Sequence, residues 1–400
     1  MKEMFQSKDW LAHALTHNIE TIISEEELRN RLQEKKKLRI KFGVDVTNPL
    51  IHLGNAVNLW KMREFQEHGH QIVFLIGDFT SRIGDPTGKS KTRPQRSVEE
   101  IEKDAQGYIE QVTTILLNDP AVFEVRRNSE WYKTMSLDQF LGLCGKITHS
   151  KLIQRDMFQK RIQEQEEIYM HEMLYPILQG YDSYMLQSDL TVIGNDQLFN
   201  ELIGRHYQSL FEQKPQIIMT TVITPGIDGK EKQSKSLGNF IALSDHPKEK
   251  FGKIMSLPDD LVILYYRVYT FVDPNVIAQY QNDLSQGKNP RDIKMNLARD
   301  IVALYHGDEV AHATQEEFVR VFSQKGVPDD IRIVSAKKGE SWDDFLVRTK
   351  LLKSKSEAKR LIQAGGVEQD GKKINPQESI TTSGVVKIGK TKFIQVDTEK

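Results

Sequence analysis

Cysteine is almost missing from this 400-residue chain: Cys144 stands alone, which excludes an intramolecular disulfide and a cysteine-built metal cluster. Long apolar runs are missing too. The stretches at 72–76 and 261–266 end after a few residues, well short of the ~20 that a membrane span needs, so no membrane partner is expected. The opening MKEMFQSKDW is broken by charges before a signal-like apolar stretch could form, and a cytoplasmic protein is expected. Internal repeats and low-complexity tracts are not seen. Net charge is nearly absent as well, 55 Lys and Arg against 56 Asp and Glu, a balance that by itself speaks against a nucleic-acid binder.

What is present is an ordinary globular composition, 38% hydrophobic and 28% charged, in a chain long enough for two or three domains. The charge is unevenly distributed. Residues 332–400 hold 15 Lys and Arg against 9 Asp and Glu, leaving 40 against 47 for the first 331. An acidic body with a basic tail suggests a polyanionic partner at one end.

The first half alternates strand-like and helix-like stretches. Residues 38–42 (LRIKF), 71–76 (QIVFLI), 122–125, 190–193 and 216–223 read as strands. Helical spacing is predicted over 53–67, 97–117, 169–186 and 196–210, with Ser97 three residues before Glu100 as a capping box. Such alternation predicts an α/β fold, a parallel sheet with helices on both faces. Beyond about 226 only helices are predicted, at 248–255, 260–271, 274–284 and 291–305. Residues 325–340, with Gly326, Pro328 and Gly339, read as a linker. A last module starts at Trp342, turns at Gly365-Gly366 and continues as short strands through 385–388 and 393–396.

Four stretches carry chemistry. In KFGVDVTNPLIHLGN (41–55) a strand ends at Gly43 and Asp45, and His52-Leu53-Gly54-Asn55 opens a helix. A helix start of this kind suits a phosphate, with His52 and Asn55 on one side and Gly54 permitting close approach. The same residues also suit a plain helix cap. The loop Gly84–Ser90 (GDPTGKS) has three residues between its glycines where a P-loop has four; it reads as a polar loop with Lys89 and Arg93 available for phosphates, or as an exposed basic loop. In YPILQGYD (175–182) the spacing places Tyr175, Gln179 and Asp182 on one helical face, converging on a small polar ligand or forming a structural network. Lys232-Gln233-Ser234-Lys235-Ser236 can neutralise a leaving polyphosphate from a loop, although a solvated charged loop is the commoner use.

Taken together and in this order, His-Leu-Gly-Asn after a first strand and Lys-x-Ser-Lys-Ser after a last strand resemble the HIGH and KMSKS signatures of class I aminoacyl-tRNA synthetases. The Gly-Asp-Pro loop, LQGYD and Gly194-Asn195-Asp196-Gln197 resemble the tyrosyl-tRNA synthetase family in particular. The segment LVRTKLLKSKSEAKRLIQAGGVEQDGKKI is similar to the S4 RNA-binding module of its bacterial members. The resemblance runs over nearly the whole chain. It implies a Rossmann-like catalytic domain over 1–225, a helical domain contacting the anticodon region over 226–330, and an α+β S4 domain over 340–400.

The resemblance further implies activation of tyrosine by ATP, release of pyrophosphate and transfer of tyrosyl to the 3′ end of tRNA(Tyr). On its motifs, His52, Asn55 and Thr47 would hold the phosphates, with Lys232 and Lys235 closing over the pyrophosphate. Gly43, Asp45, Gly54, Gly194, Asp196, Ser234 and Ser236 would complete the ATP site, Asp196 taking the ribose hydroxyls and Lys89 and Arg93 assisting. Asp85, Tyr175 and Gln179 would hold the α-ammonium of tyrosine, Gln197 would lie beside its carboxylate and Asp182 would accept the phenolic hydrogen bond. Magnesium would accompany ATP as co-substrate, with no tightly bound cofactor and no metal site. Arg348, Lys350, Lys353, Lys355, Lys359 and Arg360, clustered on the first helical portion of the tail, would meet tRNA phosphates. A homodimer is implied, with residues 112–153 at its interface.

Four positions depart from the family pattern. Val46 stands where proline is usual, and Asn55 where the last histidine of HIGH falls. Gln233 replaces methionine, a solvent-loop change expected to be mild. Lys41 falls where one branch places a tyrosine sharing the phenol contact; either it points elsewhere, or the hydroxyl pocket relies on Asp182 and another donor. The rival readings are a same-fold ligase for another amino acid and a catalytically idle RNA-binding paralogue.

Overall fold

A computed structural model describes residues 10–34, 37–46, 50–83, 97–323, 331–389 and 392–399. The chain divides into two compact units, residues 1–308 and 309–400. In the first, six strands form one sheet: β1 (Ile19–Ile23), β2 (Arg39–Asp45), β3 (Gln71–Gly77), β4 (Phe123–Arg127), β5 (Leu190–Gly194) and β6 (Ile217–Thr221), in the order β1-β6-β5-β2-β3-β4. Strands β2 to β6 run parallel, and β1 joins β6 antiparallel at the edge. The five predicted strands are all present. Strand β1 was not predicted, because IETII is short, polar at the two successive sites Glu20 and Thr21 and half exposed, so it lacks the continuous apolar signal that marks β3 as a strand buried on both faces.

From β2 the chain builds outward through β3 and β4, then returns to place β5 on the other side of β2. Ligands of such sheets bind at this reversal, outside the carboxyl ends of the strands. Four helices shape the opening: α1 (Leu53–Glu67), α2 (Val98–Val112), α3 (Met170–Met185) and α4 (Leu198–Leu210). The predicted capping box starts α2, Ser97 and Glu100 exchanging bonds of 3.1 and 3.0 Å. Beyond β6 the unit is helical within the same compact body: α5 (Pro247–Met255), α6 (Val262–Tyr269), α7 (Pro274–Ser285) and α8 (Pro290–His306). Three of these begin on proline, whose missing N–H is no loss in a first turn, and Asp273 and Asn289 cap two of them.

The second unit carries a sheet ordered β7-β11-β10-β8-β9, made of β7 (Arg332–Lys337), β8 (Val367–Gln369), β9 (Lys372–Lys373), β10 (Gly384–Ile388) and β11 (Lys392–Glu399). Helices α9 (Trp342–Arg348) and α10 (Lys355–Gln363) pack on it through a core that includes Trp342, Phe345, Ala358, Ile362, Val386 and Val396. The stretch read as a linker is therefore partly wrong: residues 332–337 form a strand, paired in parallel with β11 and burying Val334 and Ala336. Its partner lies sixty residues away in sequence, beyond the reach of local cues, while the neighbouring glycines and proline suggested a break.

Candidate active site

A cavity of about 370 Å³ lies at the carboxyl ends of β2 and β5. Its lining includes twelve residues singled out in the sequence: Gly43, Asp45, His52, Gly54, Asn55, Tyr175, Gln179, Asp182, Gly194, Asp196, Gln197 and Lys232. Ser234, Lys235 and Ser236 do not line it, and Thr47, Asp85, Lys89 and Arg93 lie outside the described residues. At the centre Asp45 accepts from Thr80 Oγ1 at 2.8 Å and from the Tyr175 hydroxyl at 3.0 Å. This crossing demands glycine at 77, where a Cβ would sit 2.5 Å from Thr80 Oγ1 and 2.6 Å from Asp45 Oδ1. Val46, in place of proline, uses the amide proline lacks: its N–H donates to Ser81 Oγ at 2.7 Å.

His52 caps α1 in an extended backbone conformation, and Asn55 Oδ1 accepts from the His52 amide at 3.3 Å. The strip after the lysine loop pins this helix start. Leu53 N–H donates to Ile241 O at 3.0 Å and Leu243 N–H to Ile51 O at 2.8 Å, while the fully buried Lys250 ammonium holds the carbonyls of Ala242 and Leu243 at 3.1 and 2.8 Å. Burial, aided by the charges of Lys235 and Lys232, lowers His52 to about 4. It is therefore neutral at physiological pH and able to hydrogen-bond a ligand without contributing charge; its buried Nδ1 has no hydrogen-bond partner among the described residues. Positive charge must come from elsewhere in the site.

Lys232 supplies some of it, and its Nζ lies 3.1 Å from Asp196 Oδ2. Lys235 points to α2, where its ammonium lies 3.2 Å from the Tyr108 hydroxyl and 5.4 Å above that ring. Burial lowers it to about 8, opposed by Asp104. Gln233 overturns the solvent-loop expectation. It is buried, donating to the Tyr269 hydroxyl at 2.7 Å, so the middle of the lysine loop is anchored in the protein while Lys232 stays exposed and Lys235 lies half-buried against α2. Asn239 closes the loop by accepting from the Ser234 amide at 2.8 Å.

The far end of the cavity is a dense polar network on α3 and α4. Tyr175, Gln179 and Asp182 share one helix as predicted. Gln179 donates to Glu201 Oε1 at 2.9 Å and accepts from Asn200 at 2.7 Å; Asn200 also bonds Gln197 at 3.1 Å. Asp182 accepts from Trp131 Nε1 at 3.0 Å and Asn128 Nδ2 at 3.4 Å. Burial raises its carboxyl to about 7, opposed by Lys41 and then by hydrogen bonding with Tyr132, Asn128 and Trp131. Lys41 is itself bonded to Ser183 and Glu201. Glu201, Asn200, Asn128, Trp131 and Thr80 were missed by sequence reasoning. Only Glu201 carried a signal, since it sits one turn beyond Gln197, and a glutamate on an amphipathic helix otherwise reads as surface.

In the second unit the basic residues do not share one helix. Arg348 ends α9, Lys350 and Lys353 lie in the turn, and Lys355, Lys359 and Arg360 are on α10. Arg348 makes two bonds of 2.7 Å to Glu340, Lys355 pairs with Asp344, and Lys359 lies 3.7 Å from Asp343. Among the described residues no group of three or more His, Cys, Asp and Glu side chains could hold a metal ion, and no helix is long and apolar enough to cross a membrane.

A crevice at the sheet reversal, with a His-Leu-Gly-Asn helix start on one side and a lysine loop on the other, is matched by family comparison. The family described as tRNA synthetases class I (W and Y) matches residues 33–323, and the S4 domain matches 343–386. The chain belongs to the class I tRNA synthetases of this group. Among its relatives, the tyrosine–tRNA ligase of Thermotoga maritima is 45% identical over 386 residues, covering 96% of each chain. That of Moorella thermoacetica is 42% identical over 393 residues, 96% of this chain and 95% of its own. In fold the chain is similar to the tyrosyl-tRNA synthetase of Archaeoglobus fulgidus, solved with L-tyrosine (TM-score 0.60, 22% identity, 78% of this chain and 99% of that one). It is also similar to the tryptophanyl enzyme of Plasmodium falciparum (TM-score 0.58, 16% identity, 79% and 87%). Fold alone thus does not separate the two amino acids.

Proposed function

We propose that the chain is a tyrosine–tRNA ligase, and that one observation, Asp182 at the blind end of the cavity, supports the amino acid. Its protein partners at Trp131 and Asn128 are donors, so the carboxylate is arranged to accept one more hydrogen bond, as a phenolic hydroxyl would give. The tyrosine carboxylate attacks the ATP α-phosphate and pyrophosphate leaves; a hydroxyl at the 3′ end of tRNA(Tyr) then attacks the tyrosyl carbonyl carbon, and AMP leaves. The reaction needs no protein nucleophile, so positioning and charge stabilisation carry it.

In this reading Tyr175, Gln179 and Asp85 take the α-ammonium and Gln197 lies beside the carboxylate. His52, Asn55 and Thr47 bind phosphate oxygens through hydrogen bonds. Gly43, Gly54 and Gly194 leave room for the nucleotide, and Asp196 receives the ribose hydroxyls. Lys232 and Lys235 move from Asp196 and Tyr108 onto the pyrophosphate, with Ser234, Ser236, Lys89 and Arg93 beside them. An exposed ion pair such as Lys232–Asp196 is worth at most about 1 kcal/mol, so this exchange of partners is not prevented. Magnesium enters with ATP. The helices beyond β6 meet the anticodon region, and the basic residues of α9, α10 and their turn bind tRNA phosphates. The enzyme works in the cytoplasm as a homodimer through residues 112–153, where Leu137 and Leu141 are exposed. Amino-acid-dependent ATP–pyrophosphate exchange over a panel of amino acids tests the proposal. Exchange with tyrosine is expected, and exchange with phenylalanine or tryptophan alone would reject it.

A further inference from the structure

The helix start at His52 and the lysine loop lie far apart in sequence, and the strip 240–245 joins them. It begins where the loop ends: Asn239 accepts from the Ser234 amide and donates to the carbonyls of Glu231 and Lys232 at 3.2 and 3.3 Å. The strip then pairs antiparallel with the start of α1. Ala242 stands opposite His52, between the bonds from Leu53 N–H to Ile241 O and from Leu243 N–H to Ile51 O. In a pair of this kind the amide and carbonyl of Ala242 point away from His52, and side chains take both. Asp245 Oδ2 accepts from the Ala242 amide at 2.8 Å, and Lys250 Nζ donates to its carbonyl at 3.1 Å. Lys253 Nζ holds the same Asp245 oxygen at 2.8 Å and reaches Glu249 at 3.0 Å. Its ammonium also lies 5.7 Å from the centre of the Phe240 ring, which in turn lies 5.9 Å from that of His52.

We propose that Asp245 and Lys253 are positioning residues for tyrosine activation. By fixing Ala242 they set the register of the strip against α1, and with it the spacing between His52 and Asn55 on one side and Lys232 and Lys235 on the other. The inference rests on the tyrosine-ligase reading, in which these four residues grip the phosphates. Asp245 and Lys253 line no part of the cavity, and an ion pair 10% and 24% exposed is by itself weak evidence of a stabilising role. Its bond to a single strip amide gives it a more specific one. A slip of one residue turns every side chain of a strand to the other face, which here takes Phe240 away from His52 and pulls Asn239 out of the loop it closes. The phosphates must be held from both sides at once, and a misplacement of about 1 Å can cost roughly a hundredfold in rate. The tyrosine pocket hangs on other elements, with Tyr175, Gln179 and Asp182 on α3 and Glu201 on α4. Loosening the strip therefore reaches the phosphates and spares the amino acid.

The test is tyrosine-dependent ATP–pyrophosphate exchange, with kcat and the KM for tyrosine measured separately for the unmodified chain, Asp245→Ala and Asp245→Asn. Asp245→Ala is expected to lower kcat roughly tenfold or more, while the KM for tyrosine changes by less than about twofold. Asp245→Asn keeps an oxygen for the Ala242 amide and the Lys253 ammonium, and is expected to retain kcat within a few-fold. An unmoved kcat in Asp245→Ala overturns the inference. So does a kcat loss matched by a change in tyrosine KM, which is a general loosening of the fold, and so does an Asn variant as slow as the Ala variant. Lys253→Met, which leaves the carboxylate but removes its clasp and the cation beside Phe240, is measured alongside. A fall in kcat at unchanged tyrosine KM is expected there too, and an unmoved kcat overturns the inference even where Asp245→Ala does not fold. Absence of tyrosine-dependent exchange in the unmodified chain overturns the functional reading and this inference with it; exchange in that chain with kcat unmoved in the variants overturns this inference alone.

Discussion

At the far end of the cavity of residues 1–308 the titratable groups are buried or half-buried and bonded to fixed partners: Lys41 to Glu201, Asp182 to Trp131 and Asn128, Asp45 to Thr80 and Tyr175. In residues 309–400 the charges stand at the surface, with Arg348, Lys355 and Lys359 all roughly half exposed or more. The two arrangements suit different kinds of recognition. A dry, preorganised network distinguishes ligands differing by one hydroxyl, because the wrong ligand leaves a buried group unpaired. Solvated cations bind a polyanion by releasing its counterions, which gives affinity that falls with salt and carries little sequence information.

The sharpest way to break this comparison is at Asp182. Tyrosyl enzymes themselves are the standard case of ~10⁵-fold discrimination against phenylalanine; that figure belongs to the class. Asp182→Ala is expected to reduce the ratio by roughly a hundredfold or more, read from exchange kinetics with both amino acids, and unchanged discrimination would remove Asp182 from its role. Next in size is the effect of ending the chain before β7. Deleting residues 331–400 is expected to leave tyrosine-dependent exchange intact while lowering tRNA charging by roughly tenfold or more at moderate salt. Equal charging by the shortened chain would count against the basic tail as an RNA-binding element.

Acid should also separate the units. Burial lowers His17, His52 and His70 to about 4 each. Between their ordinary 6.5 and 4 the unfolded chain binds protons the fold refuses, so stability is full above 6.5 and is lost as pH falls. Asp182 acts oppositely, since its raised carboxyl holds a proton in the fold from about 7 downward and so favours the fold as pH falls to its ordinary 3.8. Three groups against one predict that protection of amides in residues 1–308 drops between pH 7 and 5, measured by hydrogen exchange. Residues 309–400, with His312 as their one histidine, should change less. The smallest expected effect is Lys350→Ala. It should weaken charging a few-fold, lower the logarithmic salt slope by about one and leave exchange unchanged; an altered exchange rate would contradict the division of labour.

Strands β3, β5 and β6 were legible because each is a buried apolar run, and the start of α2 because Ser97 is a capping residue three before Glu100. The edge strand β1 and strand β7 were not, since one is polar and the other is completed by a strand distant in sequence. In the site, residues within recognisable motifs were found. Trp131, Asn128 and Glu201 were not, because their meaning comes from tertiary neighbours. Gln233 was misread for the same reason: its loop looks solvated in sequence, yet Tyr269 of α6 takes its side chain inside.

The contact between Lys232 and Asp196 has a consequence for the resting enzyme. In the proposed reading, the cation that closes over pyrophosphate and the carboxylate that receives the ribose hold one another at 3.1 Å. Stray anions and free metal ions therefore meet a mouth of the cavity with muted charge at that point, and only a ligand that engages both groups at once is compensated for parting them.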